Sequence, residues 1–234
     1  MHLELRPVPI SFEDKVVKPG QNALALLAGL PLPHKRLGRP IQLMKKIGGQ
    51  PVRKTIADFP YWQDCLDDLH DAYDGICAYY CFYIERATLP HVDHFVAKSG
   101  DGEDLAYEWK NYRLACGHAN ARKNEFPDVL DPAQIEDGWF QLDLLTLEVH
   151  ADPRLPPAVW RRVEDTIVRL ELRKGRALEV RRRALDKFRR GLPLQFLTED
   201  HPYLAREMNR QGIHSPQQLP VLPSAIVDIV EPEL

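Results

Sequence analysis

An aspartate and a histidine stand side by side at positions 93 and 94, and two asparagines follow at 111 and 120. The second asparagine is trailed by Arg122 and Lys123. Hydrolysing a phosphodiester needs an activated water, neutralisation of charge on the phosphorane, and help for the departing oxygen. Histidine is the natural base, because its ordinary pKa of about 6.5 lets it accept a proton near neutral pH. A hard divalent cation handles the charge and prefers carboxylate and amide oxygens. Asp93 offers the carboxylate, His94 the base and Asn120 the amide. The interval from Asp93 to Asn120 is one that a strand–loop–strand–helix unit can fold into contact.

The elements that would position these groups can be read from pattern. The segments ICAYYCFYIE (76–85) and HVDHFVA (91–97) are rich in aromatic and β-branched residues and suggest short strands. SGDGEDLAYE reads as a loop, NYRLA as a second strand and GHANARK as the start of a helix. Upstream, Tyr61, Trp62, Cys65, Leu66, Leu69 and Tyr73 recur at helical spacing, with Asp64, Asp67, Asp68 and Asp71 on a solvated face.

Here the chain resembles a known family. VDHFVAKS followed by YEWKNYRLACGHANARK is similar to the ββα-metal motif of HNH endonucleases, over about residues 77–132 and including FPDVLDP. The resemblance implies that Asp93 and Asn120 bind one divalent cation, magnesium or manganese, and that His94 activates water. It implies that Asn111 holds the loop and orients His94, and that Arg113, Arg122 and Lys123 contact phosphate. His91 shares a strand with Asp93 and is a candidate further ligand. His118, two before Asn120, does not share its helix face.

Many HNH proteins also hold a structural zinc with two Cys-x-x-Cys pairs. Here Cys77 and Cys81 are one residue too far apart, and Ala119 stands where a partner of Cys116 would fall. Cys77, Cys81 and Cys116 are thus an incomplete zinc set, and buried packing residues are the favoured alternative. DGWFQLDLLTLEVHADPRL and HPYLAREMNRQGI resemble the C-terminal region of a bacterial HNH subgroup that includes anti-phage defence effectors.

The whole sequence frames these expectations. With 234 residues, 44% apolar and 28% charged, the chain has ordinary globular composition. Four cysteines, no apolar run long enough to span a membrane and no basic-then-apolar start point to the cytoplasm. The net charge of −3 means that nucleic-acid binding must come from a local patch. Residues 161–190 supply one, with 12 Lys/Arg against 5 acids; a solvated pair of helices with internal ion pairs explains the same run equally well.

The expected organisation is α+β, a small ββα-metal HNH centre embedded in a mainly helical protein. Residues 1–60 read as a Pro-rich arm (Pro7, Pro9, Pro19, Pro31, Pro33, Pro40, Pro51, Pro60) with one short helix over Asn22–Leu30. Residues 61–132 read as the nuclease core with its preceding helix, and 133–214 as a helical region marked by Trp160, Val163, Ile167, Leu170, Leu178, Leu185 and Phe188. A last helix spans Tyr203 to Gln211, capped by Gly212, and 215–234 is a Pro-rich tail read as an extended strap. The expected partner is nucleic acid, DNA favoured over RNA, with a regulatory protein such as an ATPase as a further expectation. The rival readings are an HNH fold that binds nucleic acid or a partner protein without cutting, and an interaction protein whose basic helices dock an acidic partner.

Overall fold

The computed structural model describes residues 3–35 and 41–220. The protein is α+β, with helices and three two-stranded antiparallel sheets. It forms two compact units. The first is Leu3–Ala78 with Ile84–Pro127; the second is Tyr79–Tyr83 with the described residues from Asp128 onward.

In the first unit a π-helical turn at Glu13–Val17 runs into α1 (Lys18–Ala28). Helical backbone thus begins at Glu13, ahead of the helix expected at Asn22, and Pro19 falls in the first turn of α1, where the π-helical turn gives way to it. It ends at Gly29, whose φ of 72° suits glycine. Phe12, Val16 and Ala23 are buried, so this stretch is part of the core rather than an extended arm. Residues 44–53 depart from the arm reading too: β1 (Met44–Ile47) and β2 (Gln50–Arg53) pair as a hairpin. Gly48 and Gly49 make its turn with φ of 55° and 85°, and Pro51 is exposed.

A 3₁₀ turn at Tyr61–Cys65 leads into α2 (Leu66–Ala72), which buries Leu69 and His70. Residues 76–85 do not form the expected strand. They run through turns with left-handed residues at Asp74, Gly75 and Cys81, and they bury Tyr79 and Tyr80. The aromatic content there reflects burial, not extended pairing. After this detour come β3 (His91–His94), β4 (Tyr112–Ala115) and α3 (Gly117–Lys123).

The second unit pairs β5 (Phe140–Leu142) with β6 (Val149–Ala151), two strands absent from the sequence reading. Its helices are α4 (Pro157–Arg169), α5 (Gly175–Arg189), α6 (Leu194–Asp200) and α7 (Pro202–Arg210). Val163, Ile167, Leu170, Leu185 and Phe188 form buried stripes at the expected spacing, whereas Trp160 is exposed. Gly212 has φ of 72°, and the Ile213 amide donates back to the Met208 carbonyl at 2.9 Å, closing the last helix as expected. The tail reading lies outside the described residues from 221 on. Up to there, Pro216–Gln218 is a 3₁₀ turn capped by Ser215. The compact units thus divide at 79–83 and at 128.

Two expectations follow. A Cβ on Gly20 would lie 2.2 Å from Cγ of the buried Tyr107 ring, and the Tyr107 hydroxyl is tied to the Phe59 carbonyl at 2.8 Å. Gly20→Ala gains up to about 1 kcal/mol of helix propensity, but overpacking costs about 1–3 kcal/mol. The clash is with a ring held at its far end, so net destabilisation is expected as a lower urea midpoint.

Burial lowers the pKa of His201 to about 4, with Lys187 adding to the effect. A folded pKa below the unfolded value means that the unfolded chain binds the proton first. Stability is full above about pH 6.5 and is lost as pH falls towards 4. Melts between pH 7.5 and 4.5 should show this loss, on the order of 1–3 kcal/mol, and His201→Asn should flatten it in part.

Candidate active site

β3 and β4 pair with Asp93 opposite Arg113 and His94 opposite Tyr112. Because side chains alternate across a strand, Asp93 and His94 leave β3 on opposite faces. Asn120 lies on α3, packed beside β3. Asp93 and Asn120 line one small polar cleft of about 210 Å³, together with Val92, His94, Ala97, Lys98, Asn124 and Glu125.

Asn111 is buried, and its amide works as a clamp. Its Oδ1 accepts from the Val96 amide at 2.8 Å, and its Nδ2 donates to the carbonyls of Val96 at 3.0 Å and Leu105 at 3.1 Å. The Asn111 carbonyl also accepts from the Phe95 amide at 2.9 Å. Both ends of the β3–β4 loop are thereby tied to the start of β4.

Lys123 is the residue that differs most from expectation. It is 1% exposed and cannot meet a phosphate. Its ammonium donates to the His94 carbonyl at 2.8 Å and the Asn124 carbonyl at 3.2 Å, lies 3.2 Å from Asp93 Oδ1, and stands over the Phe95 ring. Arg113 is likewise interior: its Nη1 donates to the carbonyls of Lys110 and Tyr112, each at 2.8 Å. Of the three cations expected at phosphate, Arg122 alone is exposed. Nothing in the run Asn120-Ala121-Arg122-Lys123 signals that the last turn of α3 points one of its two cations back under β3.

His94 is also interior. Its ring meets Trp62 and Tyr112 edge-on, and Nε2 contacts the Ala106 carbonyl at 2.9 Å. A carbonyl only accepts, so Nε2 carries the proton and Nδ1 keeps the lone pair. Burial lowers the pKa to about 4, against the Ala106 carbonyl, which raises it; Lys98 and Lys123 lower it further. The ring is therefore neutral at neutral pH.

His91, itself exposed but on the same face of β3 as Asp93, accepts at Nδ1 from Asn120 Nδ2 at 3.1 Å, when Nδ1 is the unprotonated nitrogen. That contact leaves Asn120 Oδ1 as the amide atom able to ligate. His91 thus touches Asn120 instead of adding a separate ligand. His118 is exposed on α3.

The donors around the cleft suit a hard cation: the Asp93 carboxylate, the Asn120 amide oxygen and Glu125, a residue that the sequence reading passed over. Glu125 Oε2 accepts from the Ser99 hydroxyl at 3.0 Å. Among the described residues, no three His, Cys, Asp or Glu side chains gather as a metal site. A cation here would therefore rest on few protein ligands and keep several waters, as magnesium does. Three cysteines fall short of the four ligands that a structural zinc takes. Cys77 is buried and its sulfur accepts from the Cys116 amide at 3.5 Å.

No family model, curated protein or solved structure matches the chain.

Removing the ammonium leaves a buried carboxylate without its cation, which typically costs about 3–5 kcal/mol. Lys123→Met is expected to lower the unfolding free energy measured in urea by that much, and Lys123→Met with Asp93→Asn to recover part of it. A Lys123→Met protein as stable as the parent would show that the pair contributes nothing to folding.

Proposed function

We propose that the chain is a metal-dependent HNH-type endonuclease that hydrolyses phosphodiester bonds, with DNA the favoured substrate. The observation that carries this reading is the meeting of Asp93 and Asn120 in one polar cleft, across a loop clamped by Asn111. A carboxylate and an amide oxygen side by side are the ligands that a hard cation prefers. When bound, that cation supplies positive charge against the phosphorane and the leaving oxygen.

The chain's own residues do the rest. Ala106 holds Nε2–H of His94, so Nδ1 is the atom that takes the proton from water. The low pKa keeps this nitrogen unprotonated, and the carbonyl stabilises the ring once it is charged. Asn111 keeps the loop carrying Leu105 fixed relative to β4. Lys123 restrains the Asp93 carboxylate, and of the three cations expected at phosphate Arg122 is the exposed one. A role as an anti-phage effector, controlled by a protein such as an ATPase, rests on the resemblance alone.

One observation favours the second reading, a silent HNH-fold module that binds nucleic acid or a partner protein. His94 is walled by Trp62 and Tyr112, and an ammonium already stands beside Asp93. Among the described residues no helix is long and apolar enough to cross a membrane.

The test is cleavage of plasmid DNA and a mixed RNA with magnesium or manganese. The parent should cut, and Asn120→Ala and His94→Gln should lose at least about 10²-fold, the lower end for a positioned base. His94→Ala is the poorer variant, since it opens a cavity between two rings and weakens the fold as well. Metal-dependent protection of DNA without product would favour the silent module. Cutting by every variant would place the active site elsewhere.

A further inference from the structure

The second unit carries a charged face that the proposed chemistry does not use. α5 is two-sided. Ala177, Arg181, Ala184, Leu185 and Phe188 are buried, and Arg181 is turned inward, donating to the carbonyls of Leu147 and Leu172. The opposite side holds Arg176, Arg183 and Lys187, with Arg190 just past the end, all exposed. At 100° per residue these four lie within about 60° of one another around the axis. Their span, at 1.5 Å per residue, is roughly 20 Å.

The balance on this face is uneven. Glu179 pairs with Arg183, and Asp186 pairs with Arg189 at 3.2 Å. Arg176, Lys187 and Arg190 make no ion pair among the described residues. Elsewhere in the same stretch Arg169 pairs with Asp128, Arg173 with Glu164 and Lys174 with Glu171, while exposed Arg161, Arg162 and Arg182 are in no ion pair among the described residues. So internal ion pairs explain only part of the basic run, and three of the cations that they leave over, Arg176, Lys187 and Arg190, gather on the outward face of α5. In a chain of net charge −3 this concentration is local.

We infer that the outward face of α5 is a docking surface for the phosphate backbone of duplex nucleic acid. A strand presents a phosphate about every 3.4 Å along the duplex axis, so roughly 20 Å of helix faces several of them. The face is mostly arginine, whose planar fork suits phosphate oxygens. The contacts would be sequence-independent, because phosphates position a protein without reading bases. The inference rests on the nucleic-acid reading above and concerns binding, not cutting.

The experiment is anisotropy of a labelled 25-base-pair duplex with the full chain, in EDTA, from 50 to 300 mM KCl. Arg176→Gln/Lys187→Gln/Arg190→Gln is compared with Lys35→Gln/Lys46→Gln/Lys110→Gln, which changes net charge equally. The α5 triple should weaken binding at least tenfold at 100 mM KCl. It should also lower the slope of log affinity against log salt by about 3, close to one per lost phosphate contact. The control should change affinity less than twofold. Lys187→Glu alone repeats the test should the triple fold poorly.

Equal loss in both triples, no duplex binding by the parent, or displacement by polyglutamate at the same charge concentration as by unlabelled duplex would overturn the inference. The last outcome would point to an acidic protein partner. EDTA stops turnover, so a failed docking surface leaves the cleavage result for Asn120→Ala standing, and a failed nuclease leaves the docking result standing.

Discussion

One buried ammonium ties the centre of the first unit together. Lys123 reaches from the last turn of α3 to an acidic side chain and a carbonyl of β3, and to the carbonyl that follows its own helix. An unpaired charge in that position would cost far more than a folded chain can spare. The strand and the helix are therefore held in one relative placement wherever the ion is satisfied. Lysine suits the task as a compact charge with three rotatable donors, and here each finds an oxygen.

The rest of the candidate site is set against that anchor. Alternation along β3 sends Asp93 towards α3 and His94 into the aromatic wall of Trp62 and Tyr112. The asymmetry gives two adjacent titratable groups opposite surroundings, one beside a cation and the other in a nonpolar cage. The Asn111 amide then fixes the loop that completes the cage, using its donors and its acceptor on main-chain groups that would otherwise need water.

Much of this was legible in the residues, and the failures share a cause. The meeting of Asp93 with Asn120 follows from a short strand, a loop, a second strand and a helix, all of which leave local signals. The stripes on α4 and α5 and the glycine stop at Gly212 follow from helical period and backbone freedom. What did not follow is burial of polar groups. A lysine in the last turn of a helix or an arginine in a short strand carries no local sign of burial, and nothing nearby in sequence says that carbonyls inside satisfy Lys123 or Arg113. Aromatics at 76–85 read as strand because burial and β-propensity draw on the same residues. Prolines in residues 1–60 suggested an arm because composition does not reveal that Pro19 falls in a first helical turn.

The excursion of the chain at Tyr79–Tyr83 has a consequence for how the molecule is made. These residues belong to the second unit, where the Tyr80 hydroxyl donates to the Leu170 carbonyl at 2.9 Å and the Tyr83 amide to the Asp200 carbonyl at 2.7 Å. Their partners are synthesised long after them, and the first unit resumes at Ile84 before any partner exists. Neither unit is a continuous piece of polypeptide, so no single cut parts one cleanly from the other. A nascent chain that has just left the ribosome through Pro127 holds the complete first unit with an exposed tyrosine-rich splice in its midst, waiting for the remaining half of the protein to claim it.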